Sequence, residues 1–345
     1  ALADNTTAEG GSAFGKDALG ANTTGDNNTS VGTSSMQQNT TGSENTAIGN
    51  QALKANTTGS NNVVMGYQAL YTANIGNTVA IGYKALYANS DTGYNNTAVG
   101  YLSLTNNTTG DDNTALGRES LEENTTGSDN TAVGYKALTA NTTGSYNTAG
   151  GISALATNTT GDFNTAFGRL ALLDNTSGDS NTALGVNALT NNTTADANTA
   201  IGTNSMNTNT TGASNTAVGN DSLRANTTAS NNTAVGMDAL TANTTGTSNS
   251  AVGQNSLLSN TTGEKNTAIG QASGSAITTG DRNVCIGRNA GSNITTGSNQ
   301  IVIGEGATAP SGTAGDDITI GDSNIGSFRC NVQTISSLSD GRDKT

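Results

Sequence analysis

The apolar residues of this chain recur with a long, fixed period. Large apolar side chains stand at Phe14, Val31, Ile48, Met65, Val99, Leu116, Val133, Phe167, Leu184 and Ile201, and each is followed at once by Gly. Those marker glycines (Gly15, Gly32, Gly49, Gly66, Gly100, Gly117, Gly134 and onward to Gly321) lie 17 residues or a multiple of 17 apart. One has slipped by a residue to Gly82, which gives 19 units. Leu or Met stands four residues after the marker, as at Leu19, Met36, Leu53, Leu138 and Met206, and a small residue such as Ala18, Ser35 or Ala137 precedes it. Asn stands four residues before the marker (Asn28, Asn45, Asn113) and seven after it (Asn22, Asn39, Asn124), where it opens Asn-Thr-Thr-Gly.

A helix does not fit, because Gly, Asn and Thr are weak helix formers and Gly recurs too often. Thr131-Ala132-Val133-Gly134 alternates a small face (Ala132, Gly134) with a larger one (Thr131, Val133), as a strand does. Asn-Thr-Thr-Gly supplies turn chemistry. One supersecondary unit per fixed period predicts a solenoid. The expected fold is therefore all-β: a parallel β-solenoid of about 19 coils of 17 residues. Strands of successive coils would pair about 4.8 Å apart and make a rod on the order of 90 Å long. The marker glycines should form one column, and the asparagines should form ladders that bond to the coils above and below.

Each coil would bury roughly two large side chains at about 2 to 3 kcal/mol each, against roughly 1.5 kcal/mol for every residue ordered. That core is thin. The small face at Ala132 and Gly134 would let a second chain approach closely, so the expectation is a homotrimer packed along the rod axis.

Residues 1–10 read as a lead-in, 11–269 as regular coils, 270–325 as divergent terminal coils and 326–345 as a C-terminal segment. The connection into Gly82 is one residue short, and the next, Asn89-Ser90-Asp91-Thr92-Gly93, is one residue long. The two errors cancel, as stacked registers require. Gly150 replaces the usual apolar residue and reads as a core defect, partly filled by Ile152 and Leu155. In the divergent coils Leu is lost at Gly274 and Gly291, while Ile277 and Ile294 replace the Asn of Asn-Thr-Thr-Gly. Core volume should move to the other side of the coil there.

Composition narrows the functions. There is no Trp and no His, and aromatic residues make up 3%, which excludes a conventional globular core. A net charge of −13 without a basic patch argues against a nucleic-acid partner. No apolar run reaches membrane-spanning length, so no membrane insertion is expected. Without His there is no Ser-His-Asp triad and no common metal site, and no paired carboxylates recur at a glycosidase spacing. The reading is non-enzymatic, with no cofactor and no metal. Cys285 and Cys330, 45 residues apart, read as separate thiols. Tyr67, Tyr83 and Tyr101 share one position of the repeat, and Tyr71 and Tyr87 share another. They read as stacked aromatic ladders or as a row that grips the ring face of a glycan.

The unit running from Asn130 to Tyr146 resembles the coils of trimeric autotransporter adhesin heads of the YadA type, which are left-handed parallel β-rolls. It is more similar still to the Asn-Thr-Ala-Val-Gly-Tyr-x-Ala-Leu-x-x-Asn-Thr-Thr-Gly arrays of tail-fibre proteins that carry an endosialidase-type intramolecular chaperone. This likeness covers roughly residues 11–325. Leu338-Ser339-Asp340-Gly341-Arg342-Asp343-Lys344 resembles the Leu-Ser-Asp-x-Arg-x-Lys junction between phage tail spikes or fibres and that chaperone, whose body would follow Thr345. The resemblance implies Ser339 as nucleophile and Lys344 as base for a single cut beside Ser339 once the trimer has folded. It further implies a structural shaft of a virion tail fibre that attaches to a host-surface glycan or protein. A cell-surface adhesin of the trimeric autotransporter type and an ice-binding solenoid are the alternatives. For the latter, each Thr-Thr pair is expected to place one side chain in and one out.

Overall fold

The computed structural model describes residues 2–90 and 92–325, and each coil contributes one strand of three residues. Nineteen such strands, from β1 (Ser12–Phe14) to β19 (Ile318–Ile320), form a single parallel sheet, and there is no helix among the described residues. The chain is a parallel β-solenoid, as its period predicts. In β8 (Thr131–Val133) and β9 (Thr148–Gly150), Thr131 stands opposite Thr148 and Ala132 opposite Ala149. The paired length errors keep this register: β4 (Val63–Met65) sets Val63 against Val79 of β5 (Val79–Ile81), and Val79 stands against Thr97 of β6 (Thr97–Val99).

The marker glycines form the expected column because no other residue fits. From Gly15 to Gly304 their φ lies between 124° and 143°, a region closed to side chains. A Cβ on Gly134 would also lie 2.5 Å from the carbonyl oxygen of Gly151 in the next coil.

The strand faces are the reverse of the sequence reading. Ala132 points inward and is fully buried, whereas Val133 points outward and is 43% exposed. The physical reason is width. Leu138 crosses the coil interior from the far side, with Ala137 beside it, and both are fully buried. The strand facing Leu138 then takes a small inward residue, Ala in nearly every regular coil and Val64 beside Leu70. Each regular coil therefore buries one large side chain, not two, at about 1.5 to 3 kcal/mol. For the same reason Gly150 is no core defect. It lies on the outer face, and the ring of Phe167 from the next coil lies over it, 2.5 Å from where a Gly150 Cβ would be.

The core Leu sits in a strained backbone. Leu138 has a φ of 52°, and Lys136 and Tyr146 in the same coil are at 56° and 59°. A left-handed non-glycine residue costs on the order of 1 to 3 kcal/mol and persists where its surroundings leave no alternative.

Buried amides supply that rigidity, as two ladders. Asn141 Nδ2 donates to Asn124 Oδ1 (2.8 Å) and to the Gly144 carbonyl (2.8 Å), and its own Oδ1 accepts from Asn158 Nδ2 (2.8 Å). Asn130 Oδ1 accepts from the backbone N–H of Asn147 (3.0 Å), and its Nδ2 donates to the Gly144 carbonyl (2.8 Å). Thr142 Oγ1 adds a bond to the Thr159 carbonyl at 2.9 Å, while Thr143 is exposed. Neither Thr of the pair enters the core, which corrects the in-and-out expectation. Where an Asn is missing, the ladder ends on an unpaired acceptor. Asn56 Oδ1 faces the coil in which Ala73 takes the Asn position, and Asn260 Oδ1 faces Ile277.

Beyond Gly270 the core is rebuilt as expected: Ile277 and Ile294 are fully buried. Gly274 and Gly291 occupy the left-handed Leu position with φ of 57° and 64°. Cys285 takes the inward strand position of Ala268, and a Cβ on Gly291 would collide with its Sγ. Burial pushes the Cys285 thiol up to about 12.

Candidate binding surfaces

Two features of the outer surface can recognise something. The first is the row of residues that precede the marker glycines. Val31, Ile48, Leu116, Val133, Phe167 and Ile201 are all exposed on the outer face of the single sheet. Because every strand is parallel and in register, these side chains form one apolar stripe along the rod, interrupted at Gly150, where the Phe167 ring covers the gap. An apolar strip of this length rimmed by threonines and polar turns is the mark of an interaction surface.

The second feature begins just past the marker turn. Tyr67 stacks on Tyr83 at 5.5 Å between ring centroids, and Tyr83 on Tyr101 at 5.2 Å. The column continues through residues that sequence reading overlooked. The Arg118 guanidinium lies between the rings of Tyr101 and Tyr135, at 5.6 and 5.5 Å from their centroids. Arg118 and Tyr135 occupy the same repeat position as the three tyrosines, so the 17-residue spacing would have found them. Tyr71 and Tyr87 form the parallel column, 5.3 Å apart. Two lysines dress the pair of columns. Lys84 Nζ lies 5.7 Å from the Tyr83 ring and 5.1 Å from the Tyr87 ring, and Lys54 Nζ lies 5.4 Å from the Tyr71 ring.

All five tyrosines singled out from the sequence thus lie in ladders. The ladder engages much of their faces: rings stack with interplanar angles of 10° to 12°, Tyr83 lies between two rings, Tyr101 between a ring and Arg118, and Lys54 lies near the Tyr71 ring. Ring edges and hydroxyls are what the length of each column offers to the surface. The Tyr71–Tyr87 column borders a cleft of about 440 Å³ lined by Thr72, Ala88, Asn89 and Ser90, at the connection that carries the extra residue.

One coil further on, the charge balance changes. Glu119 accepts from Arg118 Nε at 2.8 Å and lies 3.4 Å from Lys136 Nζ. The Arg118 hydrogen bond, more than the ionic attraction, holds its carboxyl below the usual range. Lys136 is thus engaged with Glu119 rather than simply solvated. Ser339, Lys344 and Cys330 lie outside the described residues. No group of His, Cys, Asp and Glu that could hold a metal ion occurs among the described residues, and Cys285 is a free buried thiol.

No protein-family model matches the chain, and no curated protein matches it at a significant level.

Proposed function

We propose that this protein is the shaft of a homotrimeric, phage-type tail fibre that brings a virion to a host cell surface. The observation that carries the reading is the long apolar stripe on a rod whose own core is thin. Three parallel rods, related by a threefold axis, would place equivalent stripe residues at equal heights and remove them from water. Cyclic closure of this kind gives a defined fibre and leaves no apolar face for further growth. The junction-like segment from Leu338 to Lys344 supports the same reading, since it belongs where a fibre repeat meets a folding chaperone.

The test is a denaturing gel of the chain joined at Thr345 to an endosialidase-type chaperone domain. A cut beside Ser339 is expected in the folded trimer, and Ser339→Ala and Lys344→Ala should assemble uncut. Lys344 would need a lowered pKa from burial in the assembly, which ties cleavage to folding. An uncut parent trimer would reduce the segment to a chance match, and normal cleavage of Lys344→Ala would break the dyad.

One observation favours a second reading, ice binding. Thr131 and Val133 share the outer face of β8, so a Thr-x-aliphatic pair repeats along a flat, regular sheet. Thermal hysteresis in dilute solution supports it, and freezing indistinguishable from a bulk protein control removes it.

A further inference from the structure

The eight tyrosines of the chain all fall between Tyr67 and Tyr146, although the coils are otherwise alike. Stacking alone does not explain the clustering, because the remaining coils stack as well without tyrosine. The two tyrosine columns are joined by Lys84, which contacts rings of both. Lys54 extends the second column by one coil, with Nζ 3.4 Å from the Tyr71 hydroxyl. Counting from each marker glycine, the first, second, fifth and sixth residues of these four coils contain no Asp or Glu. They read Asn50, Gln51, Lys54, Ala55; Tyr67, Gln68, Tyr71, Thr72; Tyr83, Lys84, Tyr87, Ala88; and Tyr101, Leu102, Thr105, Asn106. The next coil supplies Glu119, Glu122 and Glu123 at the same positions. On a chain of net charge −13, these four coils carry a local cationic, hydroxyl-rich strip bounded by carboxylates on its C-terminal side.

We propose that this strip is a binding site for an acidic polysaccharide, with the polymer running along the rod over Lys54, Tyr71, Lys84 and Tyr87. The chemistry selects the class. Within the columns the ring faces are engaged by stacking and by Lys54 and Arg118, so a neutral glycan loses most of its usual aromatic platform. What remains are the phenol hydroxyls of rings whose centroids repeat every 5.2 to 5.5 Å, and two ammonium groups poised near the rings. These suit hydroxyls and spaced carboxylates on a linear polymer. A nucleic acid is disfavoured because its bases need open aromatic faces, and because its charge density meets the net negative charge of the rod. The shallow depression at Thr72, Ala88, Asn89 and Ser90 leaves the polymer open surface beside Tyr71 and Tyr87.

This inference deepens the host-attachment reading by naming the ligand class. The test separates the two. Hyaluronate and polygalacturonate, with dextran as the neutral control, are titrated against the intact chain at low and at high salt. Its oligomeric mass is measured in the same samples. Binding of an acidic polymer, no binding of dextran and loss of binding at high salt are expected. Replacing both lysines (Lys54→Gln, Lys84→Gln) removes two partly screened ion pairs and should raise Kd roughly three- to tenfold. Tyr71→Phe with Tyr87→Phe keeps the stack but removes its hydroxyls, and should weaken binding without changing the melting point. Neither acidic polymer binding at low salt, equal binding of dextran, or unchanged Kd in the lysine variant would overturn the proposal. A trimer that binds nothing sinks the ligand and leaves the fibre, whereas a monomer that binds sinks the fibre and leaves the ligand.

Discussion

The coil around Leu138 and the coils around Gly274 and Gly291 solve one packing problem in two ways. In the first, a left-handed Leu fills the interior and the opposite corner is a polar Asn ladder. In the second, the strained position holds Gly, which takes that backbone conformation without cost, and the corner is apolar Ile277 or Ile294. The volume removed at one corner returns at the other, and Cys285 takes part of the space between. The lesson is that strain, polarity and volume are exchanged together. Ile at the Asn corner ends the ladder, as the unpaired Oδ1 of Asn260 records.

The sharpest way to break this comparison is at a position the two regions share. Gly134→Ala and Gly270→Ala both force a Cβ into a closed φ region, within 2.5 to 2.6 Å of the next coil. Each should cost more than about 3 kcal/mol, seen as a lowered urea midpoint of similar size in both. A mild effect at either would mean that the column is not stacked as described. Leu138→Asp should be comparably severe, because it buries an unpaired charge.

The corners should then differ in kind. Asn141→Ala orphans the Asn124 acceptor and removes a donor from the Gly144 carbonyl, for a loss of about 2 to 4 kcal/mol. Asn141→Leu should be no better. Ile277→Ala should cost a similar amount through its cavity, but Ile277→Val should cost about 1 kcal/mol. Amide hydrogen exchange coil by coil reads both. Equal tolerance of Leu at the two corners would erase the distinction between them.

Two smaller effects sharpen the account. In a Cys330→Ser background, Cys285 should resist alkylation at pH 8 until the coil unfolds, because burial holds its thiol protonated up to about 12. The sign follows: any Cys285 contribution to stability is intact below the pKa of an exposed thiol and fades as pH climbs from there toward 12. Rapid labelling of the native rod would contradict it. Smallest of all, Lys136→Asp exchanges an attraction to Glu119 for a repulsion at the surface, and should leave the urea midpoint nearly unchanged.

Much of this was readable from the chain. The period gives the coils, the compensating length errors at Gly82 and Asn89 give the register, and the fixed asparagines give the ladders. What the sequence hid is which way the strand faces. Alternation in Thr-Ala-Val-Gly distinguishes two faces, but the choice between them depends on how far Leu138 reaches across the coil. The left-handed backbone at Leu138 was equally hidden, since Leu is the last residue one would place there; Gly274 and Gly291 were its trace. On the surface, Arg118 and Tyr135 are hidden because an arginine interrupts the run of tyrosines at that repeat position.

The inverted faces move the self-association argument from the alanines to the stripe, and sedimentation equilibrium of the intact chain tests that most directly. The parent should sediment at three times its chain mass of 34.2 kDa. Leu116→Lys with Val133→Lys places charges in the stripe without touching the coil interior, and should give a folded species of one chain mass with an unchanged circular dichroism spectrum. A parent that sediments as a stable, folded monomer, or a doubly substituted chain that remains trimeric, would contradict the account.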